Sequence, residues 1–281
     1  MPPRGGPTAS TVSRVVDEYR CLTTRRKGVT IRLSRGGGQA CFSPKLIWEV
    51  PANNPMIRAI IFDLDGVISD TQEIHASVES KLLQNHGIKI SAEELTTKYA
   101  GVSDKEFFGK LLNELKVEAS IDEIIEQKWV EMMKICQKGI EPIEGAIDLI
   151  RYFKRRKFEI AVASASPREF VDFVLEKLNA KRYFDTVVSE EEVRRGKPDP
   201  EIFLLAARKL KLPPWECLVI EDGVNGMVAA RRAGMRCIGY VRKGGRKGDC
   251  VADFLVDRLS QIESRLEIQE LLAPSGIRPN F

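Results

Sequence analysis

One stretch constrains the chain more than any other: Ile57-Arg58-Ala59-Ile60-Ile61-Phe62-Asp63-Leu64-Asp65-Gly66-Val67, an apolar run that stops at two carboxylates and a glycine. Residues 57–62 are short, β-branched and aromatic, and a turn signal closes them, which is the pattern of a strand buried on both faces. Asp63 then stands at the carboxyl end of that strand. Side chains at i and i+2 of extended backbone project to one side, so Asp63 and Asp65 can share one substrate and one metal ion. The pairing suits phosphoryl transfer. An ionised aspartate attacks phosphorus when a divalent cation screens the charge, and a second carboxyl shuttles the leaving group's proton. A D-x-D pair alone is more often a solvated strand end, so the remaining elements have to decide.

After Pro142 the chain alternates strand and helix. Candidate strands are Glu159–Ser164, Phe184–Ser189, Cys217–Glu221 and Arg236–Val241, with a short sixth at Phe254–Val256. Ser166-Pro167-Arg168-Glu169 combines an N-cap, a proline at the first helical position and a capping glutamate, and Asp199-Pro200 repeats the device before residues 202–210. Alternating βαβ units predict an α/β fold, a Rossmann-like doubly wound parallel sheet with helices on both faces. Functional groups of such sheets collect at the carboxyl ends of strands, near the point where strand order reverses.

Between the first strand and this alternation lies a helical insert, residues 72–140. Ile74, Val78 and Leu82 mark one apolar face and Gly87 a stop; three S-x-x-E boxes follow at Ser91/Glu94, Ser103/Glu106 and Ser120/Glu123. Phe107, Phe108, Leu111, Leu112, Trp129, Met132 and Met133 are its expected core. The domain reading is a catalytic core of residues 56–71 and 141–265, the insert as a helical cap, and a C-terminal tail of residues 266–281.

Charge separates off the first 55 residues. They hold nine Lys/Arg against three Asp/Glu, a net +6, while the rest holds 35 against 37, a net −2. The first 55 are rich in Gly, Pro, Ser, Thr and Arg, so a disordered basic extension is expected. It reads either as an organelle transit peptide or as sequence ahead of a true start at Met56, with the second favoured because Met56 directly precedes the first strand. The body gives no reason to expect nucleic acid. No apolar run approaches the roughly 18 residues of a membrane span, so no membrane association is expected and a cytoplasmic, monomeric enzyme is; a transit peptide would redirect it to an organelle. Six cysteines without C-x-x-C spacing indicate neither zinc nor disulfides, and two histidines, with no G-x-S-x-G, leave little for a histidine triad.

The strand ends alone supply a constellation. Asp63 and Asp65 end the first strand, Ser164 the second and Glu221-Asp222 the fourth; Lys197 sits in a Gly-Lys-Pro loop after the third. Each has an ordinary alternative: a hydroxyl satisfying backbone, a solvated loop lysine, a helix cap. Their joint occurrence, in order, favours function. Ser164 and Lys197 would hold phosphoryl oxygens, and Asp222, with or without Glu221, would complete a hard oxygen site for Mg²⁺.

Here the chain resembles the haloacid dehalogenase superfamily of phosphotransferases, over residues 56 to about 260. The motifs stand as Asp63-Leu64-Asp65-Gly66-Val67, Ser164, Lys197 in Gly-Lys-Pro-Asp-Pro, and Glu221-Asp222-Gly223-Val224-Asn225-Gly226. The resemblance implies an aspartyl-phosphate on Asp63, proton transfer by Asp65, and a Mg²⁺ held by the Asp63 carboxylate, the Asp65 carbonyl and Asp222. It also implies a cap that closes over the substrate. Dehalogenases lack the second aspartate, so Asp65 speaks against that activity. Gly223, where Ser or Thr is more usual, is a minor departure.

Within the superfamily the chain is similar to sugar-phosphate phosphatases and β-phosphoglucomutase. Residues 65–71, ending in Thr71, with His75 four residues on, look like the mutase's hinge and first cap helix, and Ala163-Ser164-Ala165-Ser166 is shared with both groups. Thr71, His75, Ser164, Ala165 and Lys197 are thereby expected on the substrate. Mutases carry an arginine after the cap-loop serine to grip a second phosphate, whereas this chain has Asp104 after Ser103. Lys105, and Lys128 aligned across a small gap, are the candidate replacements. The favoured expectation is a Mg²⁺-dependent phosphatase of a small phosphorylated metabolite, a sugar phosphate; a hexose-phosphate mutase is second, and a non-catalytic phosphosugar-binding module a distant third.

Overall fold

The computed structural model describes residues 56–99, 102–242 and 250–272. The basic extension, Cys21 and Cys41 lie outside them. All six expected strands form: β1 (Ala59–Phe62), β2 (Glu159–Ala163), β3 (Thr186–Val188), β4 (Cys217–Glu221), β5 (Arg236–Tyr240) and β6 (Phe254–Val256). They make one sheet in the order β3-β2-β1-β4-β5-β6, parallel at every pairing. Phe62 pairs with Val162 on one side and Ile220 on the other, so the carboxyl ends of β1, β2 and β4 lie at one edge. Strand order reverses at β1. The crevice that such a reversal opens therefore falls beside Asp63.

Alternation along the strands fills both faces. Ile60, Phe62, Ile160, Val162, Leu218 and Ile220 join one core cluster, with α5 (Ala146–Arg155), α6 (Arg168–Lys177) and the terminal α10 (Leu266–Leu272) supplying its cover. Ala59, Ile61, Ala161, Ala163, Cys217 and Val219 point the other way, against α7 (Glu201–Lys209) and α8 (Val224–Arg232). The second face is rich in alanine, which lets those two helices lie close to the sheet. Of the expected tail, residues 266–272 are α10, and its Ile268, Leu271 and Leu272 are buried because their spacing gives one apolar stripe. A short α9 (Gln261–Ser264) precedes it.

The insert consists of α1 (Gln72–Asn85), α2 (Ala92–Tyr99), α3 (Asp104–Leu115) and α4 (Ile121–Lys138). Phe107, Phe108, Leu111, Leu112 and Met132 are buried, while Trp129 and Met133 are only partly so. Ser91 and Ser120 accept the N–H of Glu94 and Glu123 as the boxes predict, but Ser103 makes no such bond. Ser166 departs as well, since α6 starts at Arg168 with Pro167 at the cap position. Two chain segments join insert and core, and they run side by side: Asp70 N–H donates to Glu141 O at 2.9 Å and Ile143 N–H to Ile68 O at 3.0 Å. Among the described residues no helix is long and apolar enough to cross a membrane.

Candidate active site

At the end of β1, Asp63 is buried and its Oδ1 accepts from Lys197 Nζ at 2.7 Å. The same ammonium donates to Glu221 Oε2 at 2.7 Å, and it lies 5.1 Å from the centre of the Phe203 ring. Burial alone would pull Lys197 down; Asp63 and Glu221 more than reverse that, so it stays charged. Asp63, Glu221 and Asp222 bring one carboxylate oxygen each to within 4.8 Å of one another. Against these three stands a single lysine. Burial first, and the Glu221 charge second, push Asp63 up to about 8, and Asp222 is driven well above its ordinary value by the same two causes.

Two glycines make this crowding sterically feasible. Gly66 adopts φ +86°, and a Cβ there would fall 2.1 Å from Asp222 Oδ2. At Gly226, on the first turn of α8, a Cβ would fall 1.9 Å from Glu221 Oε2. The residues fit a hard divalent cation such as Mg²⁺: the donors are carboxylate oxygens within 4.8 Å of one another, and they outnumber the lysine that bridges two of them. Glu221 is the most committed of the three, because its Oε1 also accepts the N–H of Gly223 at 3.0 Å.

Asp65 faces the other way, toward the insert, and its carboxylate is not part of that cluster. Its Oδ1 accepts from the Thr71 hydroxyl and lies 3.3 Å from His75 Nε2; its Oδ2 accepts from Ser166 Oγ at 2.8 Å and from Ser164 Oγ at 3.4 Å. Burial pushes this carboxyl up, yet His75, Thr71 and Ser166 together hold it below the usual carboxylate range. The i, i+2 argument from extended backbone does not carry past Phe62, where β1 ends and a turn re-aims the second aspartate. Ser166, assigned from sequence to a helix cap, instead holds Asp65.

Between Asp65 and the insert lies a cavity of about 40 Å³, lined among others by Asp63, Asp65, His75, Asp104, Lys128 and Ala165. Lys128 is buried, with Glu79 Oε1 at 2.7 Å and Asp104 Oδ1 in closer contact; the burial that would lower it is outweighed by these two carboxylates, so it is charged. Asp104 is thus not a solvated charge at a helix start. Lys105 is placed elsewhere: its side chain is 79% exposed, its Nζ is 4.0 Å from Asp122, and it does not line the cavity, because one residue along α3 is a turn of about 100°. Trp129, expected in the core, lines the cavity; its ring centre is 5.0 Å from that of Phe170 of α6, tilted by 53°, and 5.5 Å from that of His75, edge-on at 80°. Insert and core also meet where Ser103 abuts Gly196; a Cβ on that glycine would lie 3.0 Å from Ser103 Cβ. The insert is closed on the core.

Comparison with known proteins fits this geometry. The family model described as haloacid dehalogenase-like hydrolase matches residues 60–240. A phosphorylated carbohydrates phosphatase of Thermotoga maritima is 29% identical over 182 residues, 65% of this chain and 84% of that protein. The crystal structure of a CbbY variant from Rhodobacter sphaeroides, in complex with xylulose-1,5-bisphosphate, matches with a TM-score of 0.66 and 28% identity, over 74% of this chain and 96% of that one. A β-phosphoglucomutase from Clostridium difficile matches with the same TM-score of 0.66 and 29% identity, over 77% and 97%.

Proposed function

The chain belongs to the haloacid dehalogenase-like hydrolase family, and on that premise we propose that it is a Mg²⁺-dependent phosphatase of a small phosphorylated carbohydrate, working through a phosphoryl group carried on Asp63. The observation that carries this reading is the meeting of the buried Asp63, Lys197 and Glu221 with the half-buried Asp222 at the carboxyl edge of β1 and β4. A divalent cation bound by Asp63 and Asp222 would screen the nucleophile from the phosphate dianion.

This chain's own residues do the rest. Lys197 offsets charge on the phosphoryl oxygens, with Ser164 as a hydroxyl donor from the end of β2. Glu221 positions that lysine, bonded to it at 2.7 Å. Asp65, kept ionised by Thr71, His75 and Ser166, is set to take a proton from the attacking water in the second half-reaction. A phosphate dianion arriving beside it adds like charge and raises its proton affinity, the direction it needs to protonate the leaving oxygen in the first. A 40 Å³ cavity is far below the roughly 300–1,000 Å³ of a small-molecule site, so substrate enters when the insert swings on the paired segments at Asp70 and Glu141.

The test is phosphate release from a panel of sugar phosphates with Mg²⁺ and with EDTA. Metal-dependent turnover that vanishes in Asp63→Asn is expected; turnover retained in that variant would sink the mechanism. The mutase reading is second, supported by the likeness to β-phosphoglucomutase. It requires a cation free to grip a second phosphate, whereas Lys128 is already held by Asp104 and Glu79. Incubation with β-glucose 1-phosphate and a trace of the 1,6-bisphosphate decides between them: glucose 6-phosphate forming faster than inorganic phosphate would promote the mutase.

A further inference from the structure

Three polar atoms of cavity-lining side chains find no hydrogen-bond partner among the described residues: Asp104 Oδ2, His75 Nε2 and Trp129 Nε1. Asp104 is 5% exposed and His75 8%. His75 Nε2 lies 3.3 Å from Asp65 Oδ1 and serves it as a charge contact, outside the geometry of a hydrogen bond. Buried polar atoms are nearly always paired, so a closed insert that strands three around one cavity is built to close on something that pairs them.

Their chemistry restricts what that is. Asp104 Oδ2 only accepts, Trp129 Nε1–H only donates, and His75 Nε2 does either according to its proton. Hydroxyl groups do both and match all three. A second phosphate does not, because as a dianion it has no proton for Asp104 and meets the charges of Asp104 and Glu79. The cation beside them, Lys128, is bonded to both carboxylates already. From the core side Glu190 adds acid rather than base, and burial followed by the Asp104 charge pushes it up to about 8.

We propose that Asp104, Trp129 and His75, with Lys128 and Glu79 fixing Asp104, form a subsite for the hydroxyls of an uncharged sugar or polyol tail, which selects monophosphorylated carbohydrates and rejects bisphosphates. The proposal rests on the phosphatase reading above and specifies the far end of its substrate.

The experiment compares kcat/KM of the wild-type enzyme, with Mg²⁺, for acetyl phosphate, glucose 6-phosphate, sorbitol 6-phosphate, erythritol 4-phosphate and fructose 1,6-bisphosphate. At least one polyol or sugar monophosphate is expected to exceed both acetyl phosphate and the bisphosphate by about tenfold or more. Trp129→Phe, which deletes the N–H and keeps an aromatic ring, should raise KM for that monophosphate several-fold with little change in kcat. Asp104→Asn should narrow the margin over the bisphosphate by about tenfold. A wild-type enzyme that hydrolyses the bisphosphate as well as every monophosphate overturns the subsite, and so does acetyl phosphate turnover with no gain from any hydroxylated tail. No turnover even of acetyl phosphate overturns the phosphatase reading itself, and this inference falls with it. The wild-type comparison decides the matter even where Asp104→Asn, which leaves Lys128 half-paired, fails to fold.

Discussion

The molecule contains the same small motif twice, once in each wall of the cavity region. In the core, Lys197 is clasped by Asp63 and Glu221 and stands 5.1 Å from the Phe203 ring; in the insert, Lys128 is clasped by Asp104 and Glu79 and stands 5.1 Å from the Trp129 ring. Both ammonium groups are buried and both stay charged. What separates them is the count of acids and where these come from. The core trio has a third carboxylate, Asp222, supplied by the end of a neighbouring strand, and this surplus of acid is what calls for a cation. In the insert the trio is drawn from three helices, α1, α3 and α4, so it ties those helices together as well as shaping the cavity. On the proposed reading, the first motif serves chemistry on a phosphate, and the second holds Asp104 in place beside it.

The largest test of that contrast is Asp63→Asn. It removes the oxygen proposed to attack phosphorus while keeping the side chain's volume, so turnover should fall on the order of 10³–10⁶-fold with the melting temperature nearly unchanged. Asp65→Asn comes next. It cannot cycle a proton, and a loss of ~10²–10⁴-fold in kcat is expected, together with a flattened pH profile. An Asp65→Asn enzyme as active as wild type would show that the hydroxyl and imidazole groups around it serve only the fold.

Replacing each lysine compares the two motifs directly. Removing one member of a buried ion pair typically costs ~3–5 kcal/mol, because the remaining charge is stranded. Lys197→Met strands three carboxylates at a rigid sheet edge and should lower the melting temperature more than Lys128→Met, whose two carboxylates regain water when the insert opens. Mg²⁺ sharpens the difference: it should restore part of the stability of Lys197→Met, having a ligand set to bind there, and none of that of Lys128→Met. Equal rescue of both by Mg²⁺, read by thermal melts with and without EDTA, would show that the two sites do not differ as described.

The same contrast explains what could be read before the fold was known. Asp63, Ser164 and Glu221-Asp222 are legible because a strand end is a place, and a parallel sheet brings all such places to one edge, while Lys197 is legible from its Gly-Lys-Pro loop after β3. The six strands were legible for the related reason that a doubly buried strand is a short apolar run with a sharp end. Nothing comparable marks Glu79, Asp104 or Trp129. Lys128 meets Glu79 across 49 residues and Asp104 across 24, and whether such side chains meet depends on how helices rotate about their own axes, which apolar spacing leaves undefined within a residue or so. Trp129 fits a core stripe equally well whether it faces the bundle or the cavity. Ser166 hides its role in sequence because Ser-Pro-x-Glu has a sufficient local explanation as a helix start, while the partner of the hydroxyl, Asp65, is 101 residues away.

The smallest effect is also the one that reports most directly on how the two walls meet. Glu190 follows β3 in a 3-10 turn on the core, and its carboxyl is pushed up from 4.5 to about 8, first by burial, then by Asp104 of the insert, with Glu191 adding to this and Lys128 and Lys105 opposing it. The folded protein therefore holds a proton on Glu190 that the unfolded chain has already released between these two values. Stability must fall as pH rises through that window, and it levels off above about pH 8, where both states have lost the proton. Since Asp104 belongs to the insert, the penalty weighs on the closed arrangement, and the insert should open more readily at the alkaline end. Glu190→Gln removes the titration and keeps the shape. Melting temperature followed from about pH 5 to about pH 9 should decline less steeply in Glu190→Gln than in wild type, the two curves lying closest at the acid end. Other buried carboxylates, Asp63 and Asp222 among them, titrate in both proteins and cancel in the difference. Parallel curves over the whole range would mean that Glu190 keeps its ordinary proton affinity, and that the acid of the insert does not reach across to the core.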